Sequence, residues 1–456
     1  MTASRDSQDG ANETARFLEE NPALEYVEAF VTDANGIARG KRVPASALPR
    51  LYSSGLCLPA STLVLDVWGG EVEATGLIFE TGDADHHCHP VADSLRPLPW
   101  TEGRGGQVLL RMDDPDGQPY HADPRNLLAR VAERFRQRGQ TPVIATELEF
   151  RLFEPEPDEH GVPRPPARLD RGTGSQLFGL DELDAMDEVF SAFDRACREQ
   201  GVPADTVIAE QSAGQYEVNL RHVDDALLAA DHAILLKRTI KAVARRFGLM
   251  ASFMAKPYGD GAGNGLHVHA SLLDADGSNV FSDGESPTAA LRHAVGGLMD
   301  TLDDAALVFA PHANSWRRFQ PGAHVPMGPT WGFDNRTTAV RVPLSSPAAT
   351  RVEHRVAGAD ANPYLAVAAV LAGIDHGLTN TVEPPAETRG SAFSQHPSAL
   401  PETWEQATAV FEQSRFVGEY FGAEYQRLFS ACKRQEQARF RREVSRLEYE
   451  SYLGAI

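Results

Sequence analysis

The sequence predicts a mixed fold of helices and strands in two parts, a small N-terminal sheet followed by a larger region in which helices and strands alternate. Three observations predict it. Apolar residues alternate over Leu24–Val31, and a DANG turn at Asp33 to Gly36 sends the chain back through IARGKRVP, the pattern of a hairpin with one buried face. DDPDGQPYHADP, Asp113 to Pro124, is dense in turn formers and reads as a boundary. Beyond it, apolar stretches with helical spacing alternate with short β-type runs. The reading divides the chain into an N-terminal arm over residues 1–15, expected to be disordered, a small domain over 16–113 and a large domain over 114–456.

Within the small domain, further strands are expected at Thr62–Val67, Thr75–Phe79 and Gln107–Arg111. DADHHCHP, Asp83 to Pro90, gathers His86, His87, Cys88 and His89. Its content suggests a metal site, but adjacent residues rarely converge on one ion and no second ligand pair stands at zinc-finger spacing. It is therefore read as a connecting segment. In the large domain Asp123 caps a helix that opens with Pro124, runs through NLLARVAERFRQRG and stops at Gly139. More helices are expected near Asp181–Gln200, His222–Phe247, Ser286–Phe309 and Pro363–Gly377, with a charged helical tail over Pro401–Leu453. The stretch Glu154–Gly174 reads as a loop.

Composition narrows the function. The chain has 456 residues, with 42% hydrophobic and 23% charged, as in ordinary globular proteins. No apolar run nears the roughly 18 residues that cross a bilayer, and MTASRDSQDGANET has no apolar core of a secretory signal. Cys57, Cys88, Cys197 and Cys432 are widely spaced, which points to a reduced, cytoplasmic chain without disulfides. The net charge of −21 argues against nucleic acid as a partner. It serves either solubility or the attraction of a cationic ligand.

The chemistry lies on predicted strands. In ATELEFRLF, Glu147 and Glu149 share a face because side chains alternate with period two. In AEQSAGQYEVNL, a short turn between Glu210 and Glu217 can bring the two carboxylates together on adjacent strands. GNGLHVHASL sets His267, His269 and Ser271 on one face after a glycine-rich approach. RTTAVRVP and TRVEHRVAG add Arg336, Arg341, Arg351, Glu353 and Arg355. Carboxylates on strands between apolar runs are costly to bury unless neutralised. Hard oxygen donors with an imidazole suit Mg²⁺ or Mn²⁺, and arginines grip carboxylate and phosphate through two parallel hydrogen bonds. Metals with arginines are the equipment of phosphoryl transfer.

In this order, TELEFRLF, EQSAGQYEVNL, GNGLHVHASL, NSWRRFQPGAHVP, DNRTTAVRVP and RVEHRVAGADANPYL resemble the type I glutamine synthetase family over nearly the whole chain. The resemblance implies an α+β fold, with a small N-terminal β-grasp domain and a larger catalytic domain of antiparallel sheet with flanking helices. It implies ATP and two or more Mg²⁺ or Mn²⁺ ions as cofactors, L-glutamate as substrate, and a dodecamer of two hexameric rings. Matched position by position, Glu149, Glu210 and Glu217 stand for the ligands of one metal, and Glu147, His267 and Glu353 for those of the other. Gly263, Arg318 and Arg355 match glutamate contacts, and Arg336 the arginine at the transferred phosphate. His269, Ser271, Arg341 and Arg351 match nucleotide contacts. Arg317 and Arg318 would end a strand facing glutamate, and PGAHVP would be the active-site flap.

Two departures separate the chain from ammonia-using members. His324 stands where their flap carries a glutamate, and Pro59 stands at the position of the aspartate that a neighbouring subunit offers to ammonium. The segment after Val382 also lacks the tyrosine loop of adenylylation control. Loss of both carboxylates removes the ammonium contacts and opens space for a larger amine. The flap wording is most similar to the γ-glutamylpolyamine (γ-glutamylputrescine) synthetase branch. The expected reaction ligates the glutamate γ-carboxylate to a primary amine such as putrescine through γ-glutamyl phosphate, with Arg336 and His324 as catalytic residues. The alternatives are a γ-glutamylamide synthetase for ethanolamine, methylamine or an aromatic amine, a glutamine synthetase using ammonia, or an inactive relative with a structural role.

Overall fold

The computed structural model describes residues 2–169, 176–284, 286–320, 325–395 and 400–456. The chain forms two sheets, the mixed α+β arrangement expected. The first contains β1 (Tyr26–Thr32), β2 (Ala38–Pro44), β3 (Leu56–Pro59), β4 (Asp85–Pro90), β5 (Arg96–Pro97) and β6 (Gly105–Met112). Its order is β2-β1-β6-β4-β3, with β5 on β6. β1 and β6 pair in parallel at the centre, and β1 and β2 form the expected hairpin. Its turn closes on one side chain. Asp33 Oδ1 accepts from the Asn35 and Ile37 amides, both at 2.9 Å, and Gly36 supplies the positive φ of 74°.

The second sheet contains β7 (Thr141–Phe153), β8 (Ala204–Ala209), β9 (Gln215–Leu220), β10 (Met250–Ser252), β11 (Leu266–Leu273), β12 (Trp331–Phe333), β13 (Val340–Val342) and β14 (Val352–His354). Its order is β12-β13-β14-β11-β7-β9-β8, with β10 on β7. All its pairings are antiparallel except β12 with β13. Along β7, Ile144, Thr146, Leu148 and Phe150 are buried, while Ala145, Glu147 and Glu149 keep partial exposure. The apolar residues of this face join a core with helices Pro124–Arg136, Ala226–Arg246 and Pro363–Asn380. These three helices meet at a buried polar knot: Arg125 donates to both Asp231 carboxylate oxygens at 2.9 Å, and Tyr364 Oη donates to Asp231.

Several expectations are corrected. The stretch read as a disordered arm falls in helix Thr2–Glu20. Phe17 is buried in the N-terminal core and Glu13 accepts from the amides of Asp93 and Leu95, so a polar sequence is held by tertiary contacts. No strand forms at Thr62–Val67, where a 3₁₀ turn, Ala60–Val64, precedes a loop closed by Asp66. Asp66 Oδ1 takes the amides of Trp68 and Gly70, an alternative to ladder bonds that short polar side chains offer. Thr75–Phe79 likewise lies in turns after Glu73–Thr75, with Gly76 at φ 74°. Conversely, DHHCHP is a strand, not a connector. His86 and Cys88 are buried and His87 is exposed, a period-two pattern masked by imidazoles. Among the described residues no metal-competent group forms there. The helix expected over Asp181–Gln200 breaks at Met186, and that over Ser286–Phe309 splits into Ala289–Asp300 and Ala306–Phe309. The tail is helical as expected, and all four cysteines are free. Among the described residues no helix is long and apolar enough to cross a membrane.

Helices Ala289–Asp300 and Pro363–Asn380 touch backbone to backbone through glycines. A Cβ on Gly377 would stand 2.0 Å from the His293 carbonyl oxygen, and one on Gly297 would stand 2.1 Å from that of Gly373. Gly377→Ala must therefore push the helices apart. The expected loss is about 1–3 kcal/mol, the usual cost of overpacking, read by chemical denaturation. An unchanged midpoint would show that the pair yields freely.

Candidate active site

The site is built by sheet register. On β7 and β9, Glu149 stands opposite Glu217. On β7 and β11, Glu147 stands opposite His267. Further along, His269 faces Glu353 across β11 and β14, and Glu353 faces Arg341 across β14 and β13. Glu210 follows β8, and its amide bonds the Gln215 carbonyl at 2.9 Å. The turn between the two strands thus brings Glu210 to Glu217 as expected.

All of these except His269 line a cavity of about 390 Å³ with Gly263, Arg318, Arg336 and Arg355, within the range of small-molecule sites. Three groups have donor atoms mutually within 4.8 Å: Glu149, Glu210 and Glu217; Glu147, Glu217 and His267; and Glu147, His269 and Glu353. The first gathers the same three carboxylates that the sequence reading assigned to one metal. The other expected triad is close but shared differently. His267 Nδ1 is 2.9 Å from Glu147 and 3.8 Å from Glu353, while His269 Nε2 reaches Glu147 at 2.8 Å. His269 therefore belongs with the carboxylates in this arrangement, and Arg351 Nε donates to its Nδ1 at 3.2 Å.

The electrostatics fit missing positive charge. Burial, and then Glu147, Glu149 and Glu210, push the Glu217 carboxyl from the usual 4.5 up to about 9. Burial and Glu149 push Glu210 up to about 7. Burial also opposes ionisation of Glu147, but hydrogen bonds from His267 and His269 outweigh it and hold that carboxyl low. Glu353 is held low against burial, chiefly by Arg355. Oxygen donors crowded until they resist ionising, with imidazole beside them, fit hard divalent cations.

The arginines separate by position. Arg318 is 3% exposed, lines the cavity and donates to the Val356 carbonyl at 2.9 Å, whereas Arg317 is exposed. Both lie in a 3₁₀ turn, Ser315–Arg318, and not at the end of a strand as expected. Ser315 pins that turn through Asp360 at 2.6 Å. Arg341 joins Glu353 at 2.9 Å and Asp334 at 2.6 Å, and Arg355 pairs with Glu353. Arg336 is exposed at the cavity wall. Gly263 has no room for a side chain, since a Cβ would meet the Ala255 carbonyl and Arg318 Cγ, both at 2.9 Å. Ser271 continues the face of His267 and His269, but neither it nor Arg351 is among the cavity residues. His324 falls outside the described residues. Pro59 closes β3, the edge strand of the first sheet, and every cavity residue lies at position 147 or beyond. The sequence reading passed over Gln215, which carries no charge, and Leu177 and Phe178, which lie past an uninformative loop; all three line the cavity.

Comparison with known proteins follows the same lines. Residues 121–452 match the glutamine synthetase catalytic domain. The chain is 41% identical over 442 residues to γ-glutamylputrescine synthetase of Escherichia coli (strain K12), covering 96% of this chain and 93% of that one. It is 33% identical to γ-glutamylethanolamide synthetase of Streptomyces coelicolor (strain ATCC BAA-471 / A3(2) / M145), covering 76% and 74%. A solved structure of a GmaS/ADP complex superposes with a TM-score of 0.84 at 28% identity, over 96% of this chain and 99% of that one. The chain belongs to the glutamine synthetase family.

Proposed function

We propose that this chain joins the γ-carboxyl group of L-glutamate to a primary amine with cleavage of ATP to ADP and phosphate, and that the amine is a polyamine such as putrescine. One observation carries the ligase reading: six metal-type donors and four guanidinium groups line a single cavity. Identity to γ-glutamylputrescine synthetase supports the polyamine, as do Pro59 and His324 at positions where the family's ammonia-using members are acidic.

The family uses ATP and divalent metal. Glu149, Glu210 and Glu217 would hold one Mg²⁺ or Mn²⁺, and Glu147, His267 and Glu353 another, with His269 in contact. When bound, such ions neutralise the crowded carboxylates and the phosphate charge that develops during transfer. Arg318 and Arg355 orient glutamate, aiming its γ-carboxylate at the terminal phosphate. Arg341 and Arg351 take nucleotide phosphate oxygens. Arg336, exposed at the cavity wall, stabilises the transferring group, a type of contact typically worth about 10²–10³ in rate. A polyamine amine, with a pKa near lysine's ~10, arrives protonated, and His324 is assigned to accept that proton. The deprotonated amine then attacks the γ-carbonyl carbon of γ-glutamyl phosphate, forming the C–N bond as the C–O bond breaks and inorganic phosphate leaves. The reaction is placed in the cytoplasm.

Phosphate release with ATP, Mg²⁺ and glutamate across an amine panel tests the substrate. Putrescine or spermidine should outrun ammonium, ethanolamine and methylamine. Ammonium as the fastest acceptor refutes the polyamine reading. His324→Ala should slow turnover with putrescine while glutamate and ATP saturate as before, and an unaltered rate and pH profile would leave the imidazole no part in it.

The raised carboxyls give a pH test of the metal site. In the metal-free fold Glu210 and Glu217 keep protons that the unfolded chain has lost, so stability falls as pH rises from about 5 to about 9. Metal displaces those protons. The rise in melting temperature on adding Mg²⁺ should therefore grow between pH 6 and pH 8.5, and Glu217→Gln should shrink it. An equal rise at both pH values in wild type would contradict the assignment.

Because no cavity residue precedes position 147, the N-terminal sheet is proposed to serve the site of a neighbouring subunit through the Pro59 segment, within a dodecamer of two hexameric rings. Light scattering should find the active species far above 49.6 kDa. An active monomer rules the assembly out.

A further inference from the structure

Arg151 is the third residue on the Glu147 and Glu149 face of β7, and it is fully buried. No carboxylate pairs with it among the described residues. Its Nη2 donates to the Ala262 carbonyl at 2.6 Å and to Gln215 Oε1 at 3.3 Å, while Nε and Nη1 find no partner. The guanidinium also lies 5.0 Å from the Tyr258 ring centroid. A buried, unpaired guanidinium is expensive, and an apolar residue of similar size in such a place is often neutral or stabilising. Stability alone therefore gives no reason for this arginine.

Its contacts do give one. Gln215 accepts from Arg151, which leaves its Nε2 to donate to the Gly263 carbonyl at 2.9 Å, with Glu149 Oε2 at 3.4 Å. Gly265 N also donates to Glu149 Oε2, at 2.8 Å. Arg151 thus holds two successive carbonyls of the glycine loop, Ala262 directly and Gly263 through Gln215, and fixes which end of the Gln215 amide faces the loop. Gly261 lies against the guanidinium, at 3.5 Å from where its Cβ would be. Ala262 and Gly263 line the cavity, and Gly263 abuts Arg318.

We infer that Arg151 is a positioning residue that sets the loop at Ala262 and Gly263 for glutamate, acting through Gln215 and the loop carbonyls without touching the substrate. The inference rests on the ligase reading above. It predicts a dissociation of effects that a structural role would not produce. Arg151→Met in the full-length enzyme should melt at or above the wild-type temperature. It should raise the KM for glutamate by about tenfold or more, as loss of an outer supporting contact does, while the KM for ATP stays within about twofold. Arg151→Lys keeps the charge and one donor, so it should fall between the two. A glutamate KM unchanged in Arg151→Met, or a rise in the two KM values together with a fall in melting temperature, overturns the inference. Should Arg151→Met fail to fold, Arg151→Lys decides: a raised glutamate KM at normal ATP KM supports the role and a wild-type value ends it. A wild-type protein that takes no glutamate overturns the ligase reading and this inference with it. A working wild-type enzyme beside an unaffected Arg151→Met overturns this inference alone.

Discussion

Carboxylate crowding is the constraint on which the rest of the structure depends. Glu147, Glu149, Glu210 and Glu217 converge on one sheet face closely enough that Glu217 resists ionising to about pH 9. Left to themselves, such groups repel one another and seek water. The sheet prevents this because its backbone ladder fixes the positions from which they project. The opposite face of β7, with Ile144, Leu148 and Phe150 buried, anchors that ladder in the core. The site can therefore hold crowded carboxylates that must either keep protons or take up a cation, because apolar burial on the other side of the same strand holds the frame.

Around this row the protein places cations at graded depth. Arg318 is buried, Arg341 and Arg355 are half-buried and tied to Glu353, and Arg336 stands exposed at the wall. Guanidinium groups fixed beforehand need little reorganisation when charge develops, which is the main way such sites accelerate reactions. The glycine loop needs the opposite property, room for backbone close to Arg318, and side chains beneath it supply the rigidity that glycine lacks.

The two sheets are joined by buried polar contacts at the DANG turn. Asn362 donates to the Asp33 carbonyl at 2.8 Å, and Lys433 of the last long helix bonds Asn35 and Glu436. Glu436 in turn accepts from the Val67 amide at 2.8 Å. A hairpin turn near the N-terminus is thereby locked to helices more than three hundred residues away. This explains why Asp33 is fully buried even though it occupies a turn.

What the sequence determined by itself was local. Period two on TELEFRLF put Glu147 and Glu149 on one face, DANG made a hairpin, Asp123-Pro124 opened a helix, and the ordered motifs carried the family. Each depends on residues a few positions apart, and each signal survives in a bare string of letters. Tertiary structure alone decided which strands pair and so which carboxylate meets which imidazole. Only pairing with β3 and β6 makes the histidine-rich DHHCHP a strand, because neighbours satisfy backbone groups that no local pattern announces. Only packing turned a polar N-terminus into a helix. Only the fold buried Arg151, a cation that composition places at the surface, because the loop carbonyls it serves come from a segment more than a hundred residues further along the chain.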